Sequence, residues 1–305
     1  MQAKHLTSCS LTAPFSATAQ TTHPASPKIQ RVQQEPYQGW SLSDRDPDVI
    51  RNILPLTEWL YHHYFQVQTE GWEHTPTDQP ILFVGSHNGG LASPDLHMIM
   101  VDWFRRFGVE RPVYGLMHPK VWDIFPQLAK TATQMGAVQA HPKMAIAAFQ
   151  KGASVLVFPG GAQDAFRPNH QRHRIFFNGR KGFIKLALRQ HVPIVPLVST
   201  GAHDTLFVID NCYQQARQLH DWGLLPWMFD RDPEVFPIFF GWPWGLALGP
   251  LPNLPWPSPI RTRVCSPIVF ERYGREAIRD NAYVDQCYNI VVEQMQMALN
   301  ELVSR

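Results

Sequence analysis

Charge is scarce in this sequence. Only 17% of its 305 residues are Asp, Glu, Lys or Arg, against 44% hydrophobic, and the net charge is +2. So even a balance, with no long Lys or Arg run, gives no case for a nucleic-acid partner. Cysteine is scarce as well. Cys9, Cys212, Cys265 and Cys287 lie far apart without a C-x-x-C pair, so they offer neither a zinc site nor a disulfide framework, and a reducing compartment follows. No apolar run has the length and regularity of a membrane-spanning helix. No G-x-S-x-G elbow is present. The first 34 residues contain no Asp or Glu and are rich in Ser, Thr, Ala, Gln and Pro. Residues 1–35 therefore read as a disordered tail, with a transit peptide as the second reading; a secretory signal would need a continuous apolar core. Residues 36–305 are long enough to bury a large core and are expected to form one domain.

The chain is organised around one stretch. An apolar run, Ile81 to Val84, is followed by Gly85-Ser86-His87-Asn88-Gly89-Gly90, then Asp95 and an amphipathic segment from Leu96 to Phe107. That order reads as strand, loop, helix. The loop sits at the carboxyl end of a strand, where α/β sheets place their chemistry, and it carries an imidazole near a carboxylate. His87 is the candidate general base; the plainer alternative is a local structural hydrogen bond. Further strands are expected at 65–70, 112–117, 137–138, 154–158, 192–199 and 261–270. Helices are expected at 48–67, capped by Asp48 and broken at Pro55, and at 121–131, 143–149, 183–189 and 282–302. Such alternation predicts an α/β fold, a mixed, mostly parallel sheet flanked by helices. The loops after the strands at 81, 154 and 194 should then open on one shared rim.

Three other regions stand out. Arg167, Arg172, Arg174, Arg180, Lys181 and Lys185 cluster between 167 and 185, either as a solvated basic surface or as a site for phosphates or headgroups. His170 and His173 lack ligand partners at metal spacing, so no metal is expected. His203, after the strand at 192–199, either lines a pocket or makes a structural hydrogen bond. From 224 to 259, Trp227, Phe229, Phe236, Phe239, Phe240, Trp242, Trp244 and Trp256 lie among prolines and glycines with little charge. This fits a membrane-proximal surface or a Pro-rich lid on the core.

Three ordered blocks carry a family resemblance: Ser86-His87, Phe158-Pro159-Gly160-Gly161, and Val192-Pro193-Ile194-Val195-Pro196. Together with Gly89-Gly90, Asp164, Arg167 and Gly179-Arg180-Lys181-Gly182-Phe183, they resemble the glycerolipid and lysophospholipid acyltransferase family. The similarity covers roughly residues 65 to 270 and leans to the branch of plant phytyl ester synthase and diacylglycerol acyltransferase domains and their bacterial relatives. The resemblance implies an acyltransferase that uses acyl-CoA or acyl-ACP as co-substrate and no cofactor. It acts peripherally at a membrane lipid surface, on the cytoplasmic side or in an organelle.

Moving an acyl group from a thioester to a hydroxyl needs a base, which His87 would supply, and a carboxylate to hold its tautomer, for which Asp95 is the candidate. Backbone N–H groups at Gly160 and Gly161 could meet the oxyanion, with Asp164 in the same acceptor loop; an ordinary turn is the alternative. Arg167, Arg180 and Lys181 would meet donor phosphates or a headgroup, and His203 the acceptor pocket. Two departures from the family pattern matter. The usual H-x4-D becomes H-x7-D, and Gln163 stands where phosphate-handling relatives carry Arg. A neutral side chain there points to an acceptor without phosphate, such as diacylglycerol, phytol or a prenylquinol, acylated by direct transfer. The alternatives are a lysophospholipid or lysophosphatidic acid acyltransferase and a non-catalytic lipid-binding protein.

Overall fold

Four consecutive apolar residues, Ile81 to Val84, offer water no polar face, and in the structure all four are buried. The structure is a computed structural model describing residues 37–227 and 231–304; the tail expected at 1–35 and Phe229 lie outside the described residues. The strand β2 (Leu82–Gly85) lies inside a seven-stranded sheet with β1 (Gln68–Glu70), β3 (Val113–Met117), β4 (Ala137–Gln139), β5 (Ser154–Val157), β6 (Ile194–Thr200) and β10 (Arg261–Val264). The order is β1-β10-β6-β2-β5-β3-β4. From β6 to β4 every neighbouring pair is parallel; β10 runs antiparallel to β6, and β1 parallel to β10. The fold is α/β with a mixed, mostly parallel sheet, as the alternation predicts.

Side chains alternate across the central strands and so feed two cores. Leu82, Val84, Val155, Ile194 and Val198 join residues of the helices Pro142–Gln150, Gly182–Gln190 and Asn281–Ser304. On the other face, Ile81, Phe83, Leu156, Val195 and Leu197 pack with Ile50 of helix α1 (Pro47–Trp59) and with Ile99, Trp103 and Phe104 of helix α2 (Pro94–Phe107).

Several expected boundaries shift. Asp46, not Asp48, caps α1, accepting from the N–H groups of Asp48 at 2.9 Å and Val49 at 3.3 Å. The helix runs through Pro55 rather than breaking there. Pro55 and Arg51, whose carbonyl loses its bond, both lie on the exposed side, where water can satisfy that oxygen. It then widens into a π-type turn, Leu60–Tyr64, closed by Phe65 N–H on Leu60 O at 2.8 Å. β10 stops at Val264, ahead of Pro267, and only Ile268 returns to pair with Ile194.

The largest departure is at 207–248. Here the chain builds a second, antiparallel sheet from β7 (Phe207–Asn211), β8 (Pro237–Gly241) and β9 (Gly245–Leu248). Its inward side chains, Val208 and Phe239, pack with Ala165, Phe166, Leu206 and Val235. Outward, Phe207, Phe240 and Leu246 are paired in register across the three strands and are exposed, and Leu248, Trp242 and Trp244 extend the same apolar surface. From Val235 to Ile260 there is no Asp, Glu, Lys, Arg or His. Among the described residues no helix is long and apolar enough to cross a membrane.

Candidate active site

Because β2 and β5 are parallel neighbours, the loops leaving their carboxyl ends share a rim, and contacts across it fix the His87 loop. Asp164, fully buried in the short helix Gly161–Ala165 that follows β5, accepts from the His87 backbone N–H and, at 3.2 Å, from the Ser86 hydroxyl. Its third partner is Arg167, 2% exposed, which contacts the carboxylate directly. Arg167 Nη2 also donates to Asn88 Oδ1 at 2.7 Å, and Asn88 Nδ2 donates to Asp95 Oδ2 at 3.1 Å and to the Ser86 carbonyl at 2.9 Å. A continuous polar network thus runs from the β5 loop to the first turn of α2.

His87 sits above this network. Its Nδ1 is 3.9 Å from Asp95 Oδ1, its Nε2 is 3.3 Å from Ser93 Oγ, and its ring leans on Phe158 with centroids 5.0 Å apart. The long H-x7-D spacing still brings the pair together because Gly89 and Gly90, at φ of 78° and 66°, start a 3-10 turn over Gly90–Ala92 that folds the extra residues back. No side chain fits at either position. A Cβ on Gly89 would lie 2.7 Å from Pro94 Cδ and 2.8 Å from Thr205 Oγ1, and one on Gly90 2.6 Å from Leu206 Cδ2. Ser93, at φ 43°, holds a left-handed conformation unusual for a side-chain-bearing residue. Although it stands at the N-cap of α2, its side chain makes no capping bond; the hydroxyl instead donates to the Gly90 carbonyl at 3.0 Å and faces His87.

Burial sets the electrostatics. It lowers His87, to about 4, with the charges of His97 and Arg167 adding; the 18% of the side chain still open to solvent moderates the effect without reversing it. Burial likewise raises Asp95 to about 7, against hydrogen bonds from Asn88 and the Leu96 N–H. Burial thus favours the neutral form of both His87 and Asp95, so the two share a strongly desolvated, coupled site. Burial also raises Asp164, to about 6, opposed by Arg167 and by the His87 and Ser86 donors, so this carboxylate stays ionised at neutral pH.

The other expected site residues separate. Asp164 is fully buried and surrounded by donors beneath the His87 loop, not open to the acceptor side. The Arg167 guanidinium, expected to meet a phosphate, is buried against Asp164 and also donates to the Gln171 and Arg172 carbonyls. Gly161 spends its N–H on the Phe158 carbonyl at 3.2 Å, so Gly160 is the remaining main-chain donor candidate of the pair. Arg180 ties the Pro159 and Gly160 carbonyls at 3.2 and 2.9 Å and lies 3.7 Å from Glu234; Lys181 pairs with Asp285 at 2.6 Å. His203 is 4% exposed, and burial with the Arg167 charge lowers it to about 3, opposed by the Arg167 main chain beside it, which stands outside good hydrogen-bond geometry. Sequence reasoning missed Asn88 and Ser93. Their adjacency to His87 and Asp95 was the available signal, but side-chain direction was not.

Nδ1 of the imidazole has no hydrogen-bond partner among the described residues, the Asp95 carboxylate standing 3.9 Å off, and a hydroxyl lies 3.3 Å from Nε2; a neutral imidazole so placed can take a proton from an attacking alcohol. The family profile described as diacylglycerol acyltransferase matches residues 125–301, more than half of the chain. The chain belongs to the diacylglycerol acyltransferase family. The matched stretch includes Gly160, Gly161, Asp164 and Arg167 and begins after the His87 loop. Among similar proteins, an uncharacterized protein of Mycobacterium tuberculosis is 27% identical over 252 residues, which are 83% of this chain and 66% of that protein. A 1-acyl-sn-glycerol-3-phosphate acyltransferase of Limnanthes alba is 28% identical over 158 residues, 48% of this chain and 49% of that one. The crystal structure of the 1-acyl-sn-glycerophosphate acyltransferase PlsC from Thermotoga maritima aligns with a TM-score of 0.48 at 16% identity, covering 84% of this chain and 81% of that one. This diacylglycerol acyltransferase family member thus spans about two thirds of the length of its mycobacterial relatives.

Proposed function

We propose that this chain transfers a fatty acyl group from an acyl thioester, acyl-CoA or acyl-ACP, directly to a lipid alcohol that carries no phosphate, such as diacylglycerol, phytol or a prenylquinol. One observation supports the neutral acceptor above others: each of the three cations singled out to meet donor phosphates or a headgroup already has a carboxylate. Arg167 is buried against Asp164, Arg180 faces Glu234, and Lys181 faces Asp285. A dianionic headgroup brought beside this network would be desolvated without compensation, whereas a neutral hydroxyl needs only the base. The pairs of Arg180 and Lys181 are solvent-exposed, hence weak, and can give way to donor phosphates at the surface.

In the proposed reaction His87 takes the acceptor hydroxyl proton on Nε2 while the oxygen attacks the thioester carbonyl; the C–S bond then breaks and the thiolate takes the proton back from the imidazolium. Asp95, on the Nδ1 side, orients the ring and balances its charge. The enzyme works peripherally on a lipid surface met by the outer face of β7–β9, whose apolar residues face outward.

Purified protein given one acyl thioester and equal amounts of diacylglycerol, a long-chain alcohol, a quinol and lysophosphatidic acid should acylate a neutral alcohol first. Preference for lysophosphatidic acid would overturn the neutral acceptor, and no transfer to any of them would leave lipid binding alone. A second reading is favoured by the 3.3 Å approach of Ser93 Oγ to His87 Nε2. In it the Ser93 hydroxyl turns from the Gly90 carbonyl to His87 and takes the acyl group as the C–S bond breaks, its proton passing through His87 to the thiolate; the acceptor oxygen then displaces Ser93, its own proton passing through His87 to Ser93 Oγ. Ser93→Ala separates the two. Direct transfer persists in that variant, whereas an acyl-enzyme route is lost together with the acyl adduct in the mass spectrum of donor-treated protein.

A further inference from the structure

Asn253 has no role in the network described so far. It lies between β9 and β10, its side chain is 7% exposed, and neither its amide oxygen nor its amide nitrogen has a hydrogen-bond partner among the described residues. Buried amides are ordinarily paired, because a desolvated donor or acceptor left open is unfavourable. This one is also firmly held. On one side the Leu254 N–H bonds the Trp242 carbonyl at 2.9 Å, and on the other the Trp256 N–H bonds the Thr205 carbonyl at 3.0 Å.

Its position is specific. Asn253 Oδ1 lies 3.0 Å from the point a Cβ would occupy on Gly90, with Leu206 and Phe166 closing the same spot at 2.6 and 3.2 Å. The Gly90 carbonyl in turn receives the Ser93 hydroxyl that faces His87. The amide is therefore an uncharged polar point in an apolar wall, directly behind the glycine of the base-carrying loop. That wall belongs to the same ionisable-free stretch, Val235 to Ile260, whose β8 and β9 side chains form the exposed apolar face.

We propose that Asn253 binds the neutral polar head of the acceptor lipid, its carbonyl accepting from a hydroxyl and its N–H donating to an ester or hydroxyl oxygen, and so seats the reacting hydroxyl beside His87. This rests on the neutral-acceptor reading. An amide offers one donating and one accepting end and no charge, which matches a glyceride or alcohol head; it supplies no positive charge to offset the desolvation of a phosphate monoester. His203, also buried, lacks this contact with the glycine pair, and its neighbour Arg167 brings a main-chain group and a positive charge beside it instead.

The test is equilibrium binding of diacylglycerol in mixed micelles to the full chain with no thioester present, so that nothing reacts, beside steady-state kinetics with both substrates. Asn253→Leu keeps the branched shape and the number of side-chain heavy atoms and removes both polar ends. It should weaken diacylglycerol binding and raise the acceptor KM on the order of tenfold, while the donor KM stays near that of the unsubstituted protein. Asn253→Asp, which keeps the shape and loses the donor, should weaken binding in the same direction and serves if the Leu variant does not fold. Equal diacylglycerol affinity in a folded variant and the unsubstituted protein overturns the assignment even if acyl transfer is confirmed. Weaker binding by the variants sustains it even if no transfer is detected. An unsubstituted protein that binds lysophosphatidic acid but not diacylglycerol overturns the assignment and the neutral-acceptor reading together.

Discussion

The His87 loop and the outer face of the second sheet invert each other. In the loop, Asp164, Arg167, Asn88 and Asp95 are polar groups withdrawn from water; on the sheet, Phe207, Phe240, Leu246 and Leu248 are apolar groups left in it. Both placements are unfavourable by themselves. The loop resolves its own cost internally, since each charge meets a partner within the protein. The exposed side chains of the sheet have no such partner among the described residues; in the proposed function a lipid surface would cover them.

The sharpest way to break this contrast is at the base. His87→Ala should lower acyl transfer by ~10²–10⁴-fold, the usual contribution of a general base, and leave the thermal transition nearly unmoved because the network below it is anchored by the backbone N–H rather than the ring. Near-normal turnover by a folded variant would remove His87 from the chemistry. Next in size is the buried ion pair. Arg167→Met should cost ~3–5 kcal/mol in denaturant unfolding by leaving Asp164 uncompensated, whereas adding Asp164→Asn to it should recover part of that loss. A loss below ~1 kcal/mol would mean the loop does not depend on the pair.

On the sheet the expected pattern reverses. Trp242→Ser with Trp244→Ser should leave stability within ~0.5 kcal/mol, since both rings are exposed, yet shift the protein from liposome pellet to supernatant. Complete release of the unsubstituted protein by high salt alone would assign the attachment to the basic loop instead.

The smallest effect is a slope. His203 is held below its unfolded value, so its neutral burial stabilises fully above pH ~6.5 and this contribution is lost as pH falls toward its folded value of about 3. His87 acts in the same sense, down to about 4. Asp95 and Asp164, raised to about 7 and about 6, act oppositely: their burial favours the fold most below the unfolded carboxylate value and loses that advantage as pH rises. Between pH 5 and 6 these groups nearly cancel. His203→Leu should remove one proton from the balance, changing the pH slope of unfolding free energy by ~1.4 kcal/mol per unit and making the variant relatively more stable on acidification. Identical slopes would show that His203 is not held neutral.

The same contrast separates what the sequence could say from what it could not. The parallel sheet was legible because Ile81 to Val84, Ser154 to Val157 and Ile194 to Ser199 are apolar runs whose ends carry recognisable glycines and polar residues. The second sheet was not. Its strands are apolar on both faces, so period-2 alternation is absent, and prolines and glycines between them imitate a loop. His87 and Asp95 could be named from their loop, but counting cations from 167 to 185 could not reveal that Arg167 turns inward to a carboxylate three residues before it. Asn253 gave no local signal, because its significance depends on a glycine brought to it only by the fold.

One topological detail bears on how the molecule is assembled. β1 has β10 as its strand neighbour, pairing Gln68 with Arg261, and β10 joins it to β6. During synthesis, then, β1 emerges early but has no strand edge to dock on until residues 261–264 have left the ribosome. Until that late strand inserts, the β6 edge stays open with its main-chain groups unpaired. Such long-range closure slows folding and exposes a strand edge to other chains, so the newborn protein is most prone to aggregate just before its last sheet contact forms.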